Sequence, residues 1–261
     1  MDAIRWLLIE RSALPTTPSL TRVDGGEGDA IAMPAPESRW SQSHFTRGFI
    51  VVWRTMHIAI LTFEGFNELD SLIAFNILNR VKSPGWRVSI AAPAARVRSM
   101  NGVLLESQAT LEDAATADAV LVGSGIQTRD VVADAALMDR LRLDPSRQLV
   151  GAQCSGTLVL ARLGLLNGLP ACTDLTTKPW VQEAGVRVLE QPFVAQGNVA
   201  TAGGCLASQY LATWVVARLE GVDAARRAVH YVAPVGEKDQ YVERALAHVA
   251  PFLPDGRSGS A

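Results

Sequence analysis

The hydrophobic and polar positions of this chain fall into two regimes that meet at Met56. From Leu14 to Arg47, Pro, Ser, Thr, Gly and Asp are abundant, and no period of 2 or 3.6 is sustained. Such a segment buries too little side chain to offset the entropy of ordering it. Residues 1–55 are therefore expected to be either a disordered extension or an over-called reading frame that truly starts at Met56. Beyond that point apolar runs of strand length alternate with segments of helical period. His57-Ile-Ala-Ile-Leu-Thr-Phe63 reads as a buried strand. Residues 67–81 carry Leu69, Leu72, Ile73 and Ile77 at helical spacing, and Ser83-Pro84-Gly85 closes that helix.

The same reading predicts strands over 86–92, Ala119–Val122 and 148–152, the second running into Gly123-Ser124-Gly125. Helices are predicted over 129–141, 155–166, 206–219 and 241–249. Two hairpins are expected, one over 96–110 turning near Asn101-Gly102 and one over 191–202 turning at Gly197-Asn198. Repeated strand–helix alternation predicts an α/β fold, a parallel sheet with helices on both faces and β-hairpin additions. The domain is assigned to 56–250, with 251–261 as a flexible tail.

Composition narrows the function classes. With 261 residues, 48% of them hydrophobic and 19% charged, the chain can bury one sizeable core. A net charge of -2 gives no electrostatic case for nucleic acid or an anionic membrane. No apolar run approaches the ~20 residues that cross a bilayer, and the stretch from Ile4 to Ile9 makes a poor signal peptide. A cytoplasmic location is expected. The three cysteines, Cys154, Cys172 and Cys205, are odd in number and widely spaced. Neither a disulfide framework nor a zinc site is expected from them, and no metal or cofactor is assigned.

Cys154 stands out by context. It sits between a predicted strand and a predicted helix, and Ala152 and Gly156 flank Gln153-Cys154-Ser155. A strand that turns straight into a helix strains its bend residue and exposes that side chain above the sheet edge. The free N–H groups of the following helix would favour a thiolate there. Ligands of open α/β sheets also gather at the carboxyl ends of strands. Cys172 and Cys205 lack this context and are read as small buried hydrophobes.

With Cys154 placed, Gly151-Ala-Gln-Cys-Ser-Gly-Thr-Leu-Val-Leu-Ala-Arg-Leu-Gly-Leu-Leu-Asn-Gly168 resembles the nucleophile-elbow segment of the ThiJ/PfpI superfamily. It is most similar to the isonitrile hydratase branch and to the sensor domains of AraC-type regulators. Phe63-Glu-Gly-Phe-Asn-Glu-Leu-Asp70 resembles that family's first strand-to-helix segment, and Gly197-Asn-Val-Ala-Thr-Ala-Gly-Gly204 its late hairpin. The resemblance runs from Met56 to about Leu219. It implies a flavodoxin-like, class I glutamine amidotransferase-like sheet, a homodimer, and a small-molecule substrate. It also implies a cysteine facing a carboxylic acid. The acid matches Asp70, with Glu68 as second choice and Glu64 as a further rival. The resemblance places Gly123-Ser124-Gly125 at a strand-end turn whose backbone N–H groups can bind an oxyanion, so Ser124 and Gly125 join the candidate site. Ser155 joins it as a candidate substrate-binding residue, although a serine at a helix start is also an ordinary cap.

Departures from the pattern bear on substrate and mechanism. Ser155 stands where hydrolytic members place a histidine, and none of the four histidines is near the elbow in sequence. That argues against a protease-like dyad and a glutamine amidotransferase. Thr173-Asp174-Leu175 replaces the hydratase branch's Thr-His-Trp, with Trp180 displaced; Asp174 and Trp180 could reshape the pocket or serve as a loop charge and a packing aromatic. Two enzyme readings remain, both built on Cys154 and Asp70: hydration of an isonitrile, or glyoxalase- or deglycase-like action on dicarbonyls. The alternative is a redox- or ligand-sensing domain. About 40 residues follow Leu219, short of the ~100 of a tandem helix-turn-helix region, so direct DNA binding is not expected.

Overall fold

The computed structural model describes residues 55–254. The extension expected over 1–55 lies, all but its last residue, outside them. Six strands form one sheet: β1 (Met56–Leu61), β2 (Trp86–Ala91), β5 (Ala119–Val122), β6 (Leu149–Gln153), β7 (Phe193–Gln196) and β8 (Val199–Ala202). Their order is β2-β1-β5-β6-β8-β7, parallel throughout except for the antiparallel β7–β8 pair at one edge. Strands β3 (Arg96–Arg98) and β4 (Leu104–Glu106) form a separate antiparallel hairpin.

Both sheet faces are covered, and the period-2 alternation of β1 shows how. Ile58 and Ile60 enter one core with α1 (Glu68–Leu78), α7 (Ser208–Glu220), α8 (Val222–Val232) and α9 (Lys238–Val249). Ala59 and Leu61 enter the other with α2 (Leu111–Ala114), α3 (Thr128–Ala133), α4 (Ala135–Arg140), α5 (Gly156–Arg162) and α6 (Lys178–Glu183). A strand buried on both faces must be apolar at successive positions, which is why these runs read as continuous rather than alternating. Helix α7 is buried along most of its length, with Trp214 wholly enclosed.

Several expected elements are redrawn. The helix over 129–141 is two helices, α3 and α4, because Asp134 takes extended backbone (φ -80°, ψ 96°) and its carboxylate accepts the Leu137 N–H at 3.0 Å. Aspartate competes with helix continuation in this way. The helix over 155–166 stops at Arg162, and Gly164 adopts a left-handed φ of 75° just beyond. Helices α6 and α8 were not anticipated. The late hairpin is present as β7–β8. The chain end expected to be a tail from 251 is packed at first: the 3-10 helix Ala250–Phe252 sets Phe252 edge-on to Phe193, with ring centroids 5.6 Å apart. An aromatic pair of that geometry holds the segment on the sheet edge. The remainder, 255–261, lies outside the described residues.

Candidate active site

The parallel register decides what meets at the carboxyl edge of the sheet. Gln153, the last residue of β6, is paired with Ala202, the last of β8. The chain beyond each strand therefore emerges side by side. Cys154 follows Gln153 with φ 47°, the one positive φ outside glycine among the described residues. Its N–H donates to the Ala202 carbonyl at 2.8 Å, and its carbonyl accepts the Thr173 hydroxyl at 2.8 Å and the Thr157 N–H at 3.1 Å. These bonds hold a conformation that costs an L-residue roughly 1–2 kcal/mol. Gly156 makes the turn sterically possible. A Cβ there would lie 2.5 Å from the Val122 carbonyl oxygen and 2.8 Å from that of Gly123.

Asp70 comes from the first turn of α1, whose N-cap Asn67 accepts the Leu69 N–H at 3.0 Å. Asp70 is 2% exposed, and its carboxyl accepts the Ser124 hydroxyl. One Asp70 oxygen and the sulfurs of Cys154 and Cys205 all lie within 4.8 Å of one another. Burial raises the Asp70 pKa, opposed by hydrogen bonds from Ser124, Cys154 and Cys205. The rival acids point elsewhere. Glu68 accepts the Ser99 hydroxyl and the Asn101 amide at the β3–β4 hairpin, and Glu64 accepts the Arg98 N–H at 2.9 Å.

Cys205 is the residue that sequence reasoning left aside. It lies three positions past β8, at the start of the 3-10 helix Cys205–Ala207. Asn67 Nδ2 donates to its sulfur at 3.2 Å, and Gln153 Nε2 donates to the Cys154 sulfur at 3.4 Å. Both amides are oriented by other bonds, Asn67 by its cap and Gln153 by the Gly204 carbonyl at 2.8 Å. The signal for Cys205 lay in the β6–β8 pairing, which chain spacing does not disclose.

Ser124 serves Asp70. Ser155 and Gly125 are engaged with each other: the Gly125 N–H donates to the Ser155 hydroxyl at 3.1 Å, and Thr128 shares that hydroxyl at 2.7 Å. Gly125 is needed where it stands, since a Cβ would approach the Gly65 carbonyl oxygen to 2.6 Å. Asp174 caps its own turn through the Thr176 and Thr177 amides, yet its charge also acts on Asp70 and Cys154. Trp180 packs under the Arg129 guanidinium, 5.2 Å from ring centroid to carbon. His57 bonds Ser89 at the amino end of β1. His248 packs against Tyr210 with the rings tilted by 49° and their centroids 4.6 Å apart.

The expectation of a thiolate at rest is corrected by the electrostatics. Burial first, then the Asp70 carboxylate, pushes the Cys154 thiol well above its usual range. Burial also raises Cys205, and it pushes Cys172 up to about 12. The neutral forms of Asp70 and Cys154 are thus both favoured by burial. A carboxylate of raised basicity beside a thiol can take its proton during attack and return it afterwards. An adjoining groove of about 870 Å³ is lined largely by apolar groups of α1, the Cys205–Ala207 turn and the end of α8, and includes Glu68, Gly204 and Cys205. Neither Cys154 nor Asp70 is among its lining residues.

Comparison with known proteins agrees with this architecture. An isonitrile hydratase from Pseudomonas putida is 27% identical over 173 residues, covering 66% of this chain and 75% of that protein. A ThiJ/PfpI family protein from Pseudomonas syringae superposes with a TM-score of 0.62 at 20% identity, covering 76% of this chain and 88% of the other. An AraC family transcriptional regulator from Pseudomonas putida gives 0.56 at 16% identity, over 68% of this chain and 100% of the other. The two structural likenesses bear on the fold. The sequence over residues 56–218, from the first strand through the elbow into α7, matches the DJ-1/PfpI family, and the chain belongs to it.

Proposed function

We propose that this protein is a cysteine-dependent hydratase that converts an isonitrile into an N-substituted formamide. The observation that carries the reading is the buried Asp70 carboxyl, within 4.8 Å of the Cys154 sulfur and held by Ser124. The similarity to isonitrile hydratase supplies the substrate class.

In this reading the Cys154 sulfur attacks the terminal carbon of the isonitrile while Asp70 takes the thiol proton. Asp70 returns that proton to the same carbon, giving a thioformimidate bound to Cys154. Water then adds to the carbon with Asp70 as base. Collapse of the adduct releases the formamide and restores the thiol. The sequence consumes one isonitrile and one water and needs only a soft nucleophile and one acid–base group. Ser124 orients the acid. Ser155 and Gly125 hold the elbow's first helical turn against the Ser124–Ile126 segment. The acting form is proposed to be a cytoplasmic homodimer. Leu69 and Leu206, 50% and 65% exposed at the groove, provide apolar surface for such an association.

The test is to mix purified protein with a small aliphatic isonitrile and follow formamide by NMR, with methylglyoxal in parallel. Formamide that appears with the native protein and not with Cys154→Ala supports the reading. Consumption of methylglyoxal alone would move the assignment to dicarbonyl chemistry. Inertness toward both would leave a sensing role.

A further inference from the structure

We infer that Cys154 and Cys205 form a reactive dithiol, a modification site that closes into an intramolecular disulfide when the protein meets a hydroperoxide. This goes beyond the hydratase reading and does not depend on it, because it concerns the two sulfurs rather than any substrate.

Four features place the pair. The sulfurs lie within 4.8 Å of each other, so reaching a bond of about 2.05 Å requires them to close by less than about 2.8 Å, within reach of side-chain rotation. The two backbones are anchored to one another: the Cys154 N–H bonds Ala202, and Gln153 Nε2 bonds the Gly204 carbonyl next to Cys205. Gly204, with φ 88° and no atom within 4 Å of where a Cβ would sit, leaves the Cys205 turn room to adjust. Finally, each sulfur accepts an amide N–H, from Gln153 and from Asn67, which holds both in place beside the Asp70 carboxyl. Cys172 has no part in this arrangement. It is wholly buried, and its N–H bonds Thr201.

Cys205 lines the groove and is only partly buried, so a hydroperoxide reaches that sulfur first. The Cys205 sulfur attacks the peroxide oxygen, its proton passing by way of Asp70 to the departing alkoxide, and it becomes a sulfenic acid. The Cys154 sulfur then displaces the sulfenic oxygen, which leaves as water with the Cys154 proton. In sum, two thiols and one hydroperoxide give one disulfide, one alcohol and one water. The two thiols are oxidised by two electrons and the O–O bond is reduced. The product ties up the proposed nucleophile in a form that a dithiol reductant restores, and it stops the climb to sulfinic acid.

The full-length protein is treated with an organic hydroperoxide, quenched with an alkylating agent and mapped with trypsin. Cleavage at Arg147, Arg162, Arg187 and Arg218 places the three cysteines in separate peptides, 148–162, 163–187 and 188–218. The expected result is a species lighter by two hydrogens in which 148–162 is joined to 188–218, within one chain, and which dithiothreitol returns to two alkylatable thiols. In Cys205→Ser no such joined species forms. The inference is overturned by oxygen added to either cysteine without a link, by no change at all, by a link through 163–187, or by a link between two chains. None of these readouts involves an isonitrile, so failure here and failure of the hydratase reading are separately visible.

Discussion

Ser124 donates its hydroxyl to the Asp70 carboxylate across 54 residues of chain, from the strand-end turn after β5 to the first turn of α1. That bond lowers the Asp70 pKa against the larger effect of burial, which raises it. An acid tuned in this way should be costly to the fold when ionised.

Asp70 therefore carries a stability prediction. Its folded pKa is raised, so the stability linked to its proton is full below the unfolded value of about 3.9. It is lost as pH rises through the folded value. Asp70→Asn keeps an oxygen for Ser124 and removes the buried charge. It should be more stable than the native protein at neutral pH by on the order of 1 kcal/mol, with a Tm higher by about 2–4 °C. The gain should vanish near pH 3. Thermal melts at the two pH values check it, and an Asn variant that is less stable at neutral pH would show that the carboxylate is favourably solvated.

The same substitution should abolish turnover while making Cys154 a better target for alkylation. The Asp70 charge holds the Cys154 thiol up, second only to burial. Removing a neighbouring anion lowers a thiol pKa, so the thiolate fraction at fixed pH rises. Iodoacetamide should label Cys154 several-fold faster in Asp70→Asn than in the native protein at about pH 8. Peptide mapping with time gives the rate. Equal rates would mean that burial alone sets the thiol.

The elbow was legible in the sequence because its requirements are local. A strand-length apolar run, small residues at Ala152 and Gly156, and a following helix are all within ten or so positions of Cys154. Asp70 was legible only through the resemblance, since Glu64, Glu68 and Asp70 are equally plausible acids until the hairpin contacts of Glu64 and Glu68 are seen. Cys205 could not be found this way. Its proximity to Cys154 depends on Gln153 lying opposite Ala202, a pairing between strands 49 positions apart. Helix α8 was missed because its buried side is mostly small, Ala225, Ala228 and Val229, among exposed arginines. Ser124, Ser155 and Gly125 lie together at one end of the sheet, and their partners are one another and Asp70, which only the folded backbone specifies.

Gly156 should tolerate no side chain. Its Cβ position meets two backbone carbonyl oxygens, which cannot move without displacing the end of β5. Gly156→Ala is expected to lose about 1–3 kcal/mol, read as a lower denaturant midpoint, together with most of the activity. Gly102→Ala, at a turn where the Cβ meets nothing, should lose less and leave activity intact. Its cost is confined to the positive φ of 93°.

The strain at Cys154 can be separated from its chemistry by comparing two variants that both lack sulfur. Cys154→Ala and Cys154→Gly should each reduce turnover at least about a thousandfold, because no other side chain in the cluster reproduces a nucleophile at the elbow. They differ in backbone. At φ 47° alanine retains the clash between Cβ and the following carbonyl, whereas glycine does not. Against this, glycine has more freedom to lose on folding, which recovers part of the difference. The balance should leave Cys154→Gly more stable than Cys154→Ala by about 1 kcal/mol, the reverse of their order at an ordinary strand or helix position. Urea denaturation of the two proteins decides it. If alanine is the more stable, the bonds from Ala202 and Thr173 do not hold the left-handed bend in the absence of the thiol, and the elbow relaxes once its sulfur is gone.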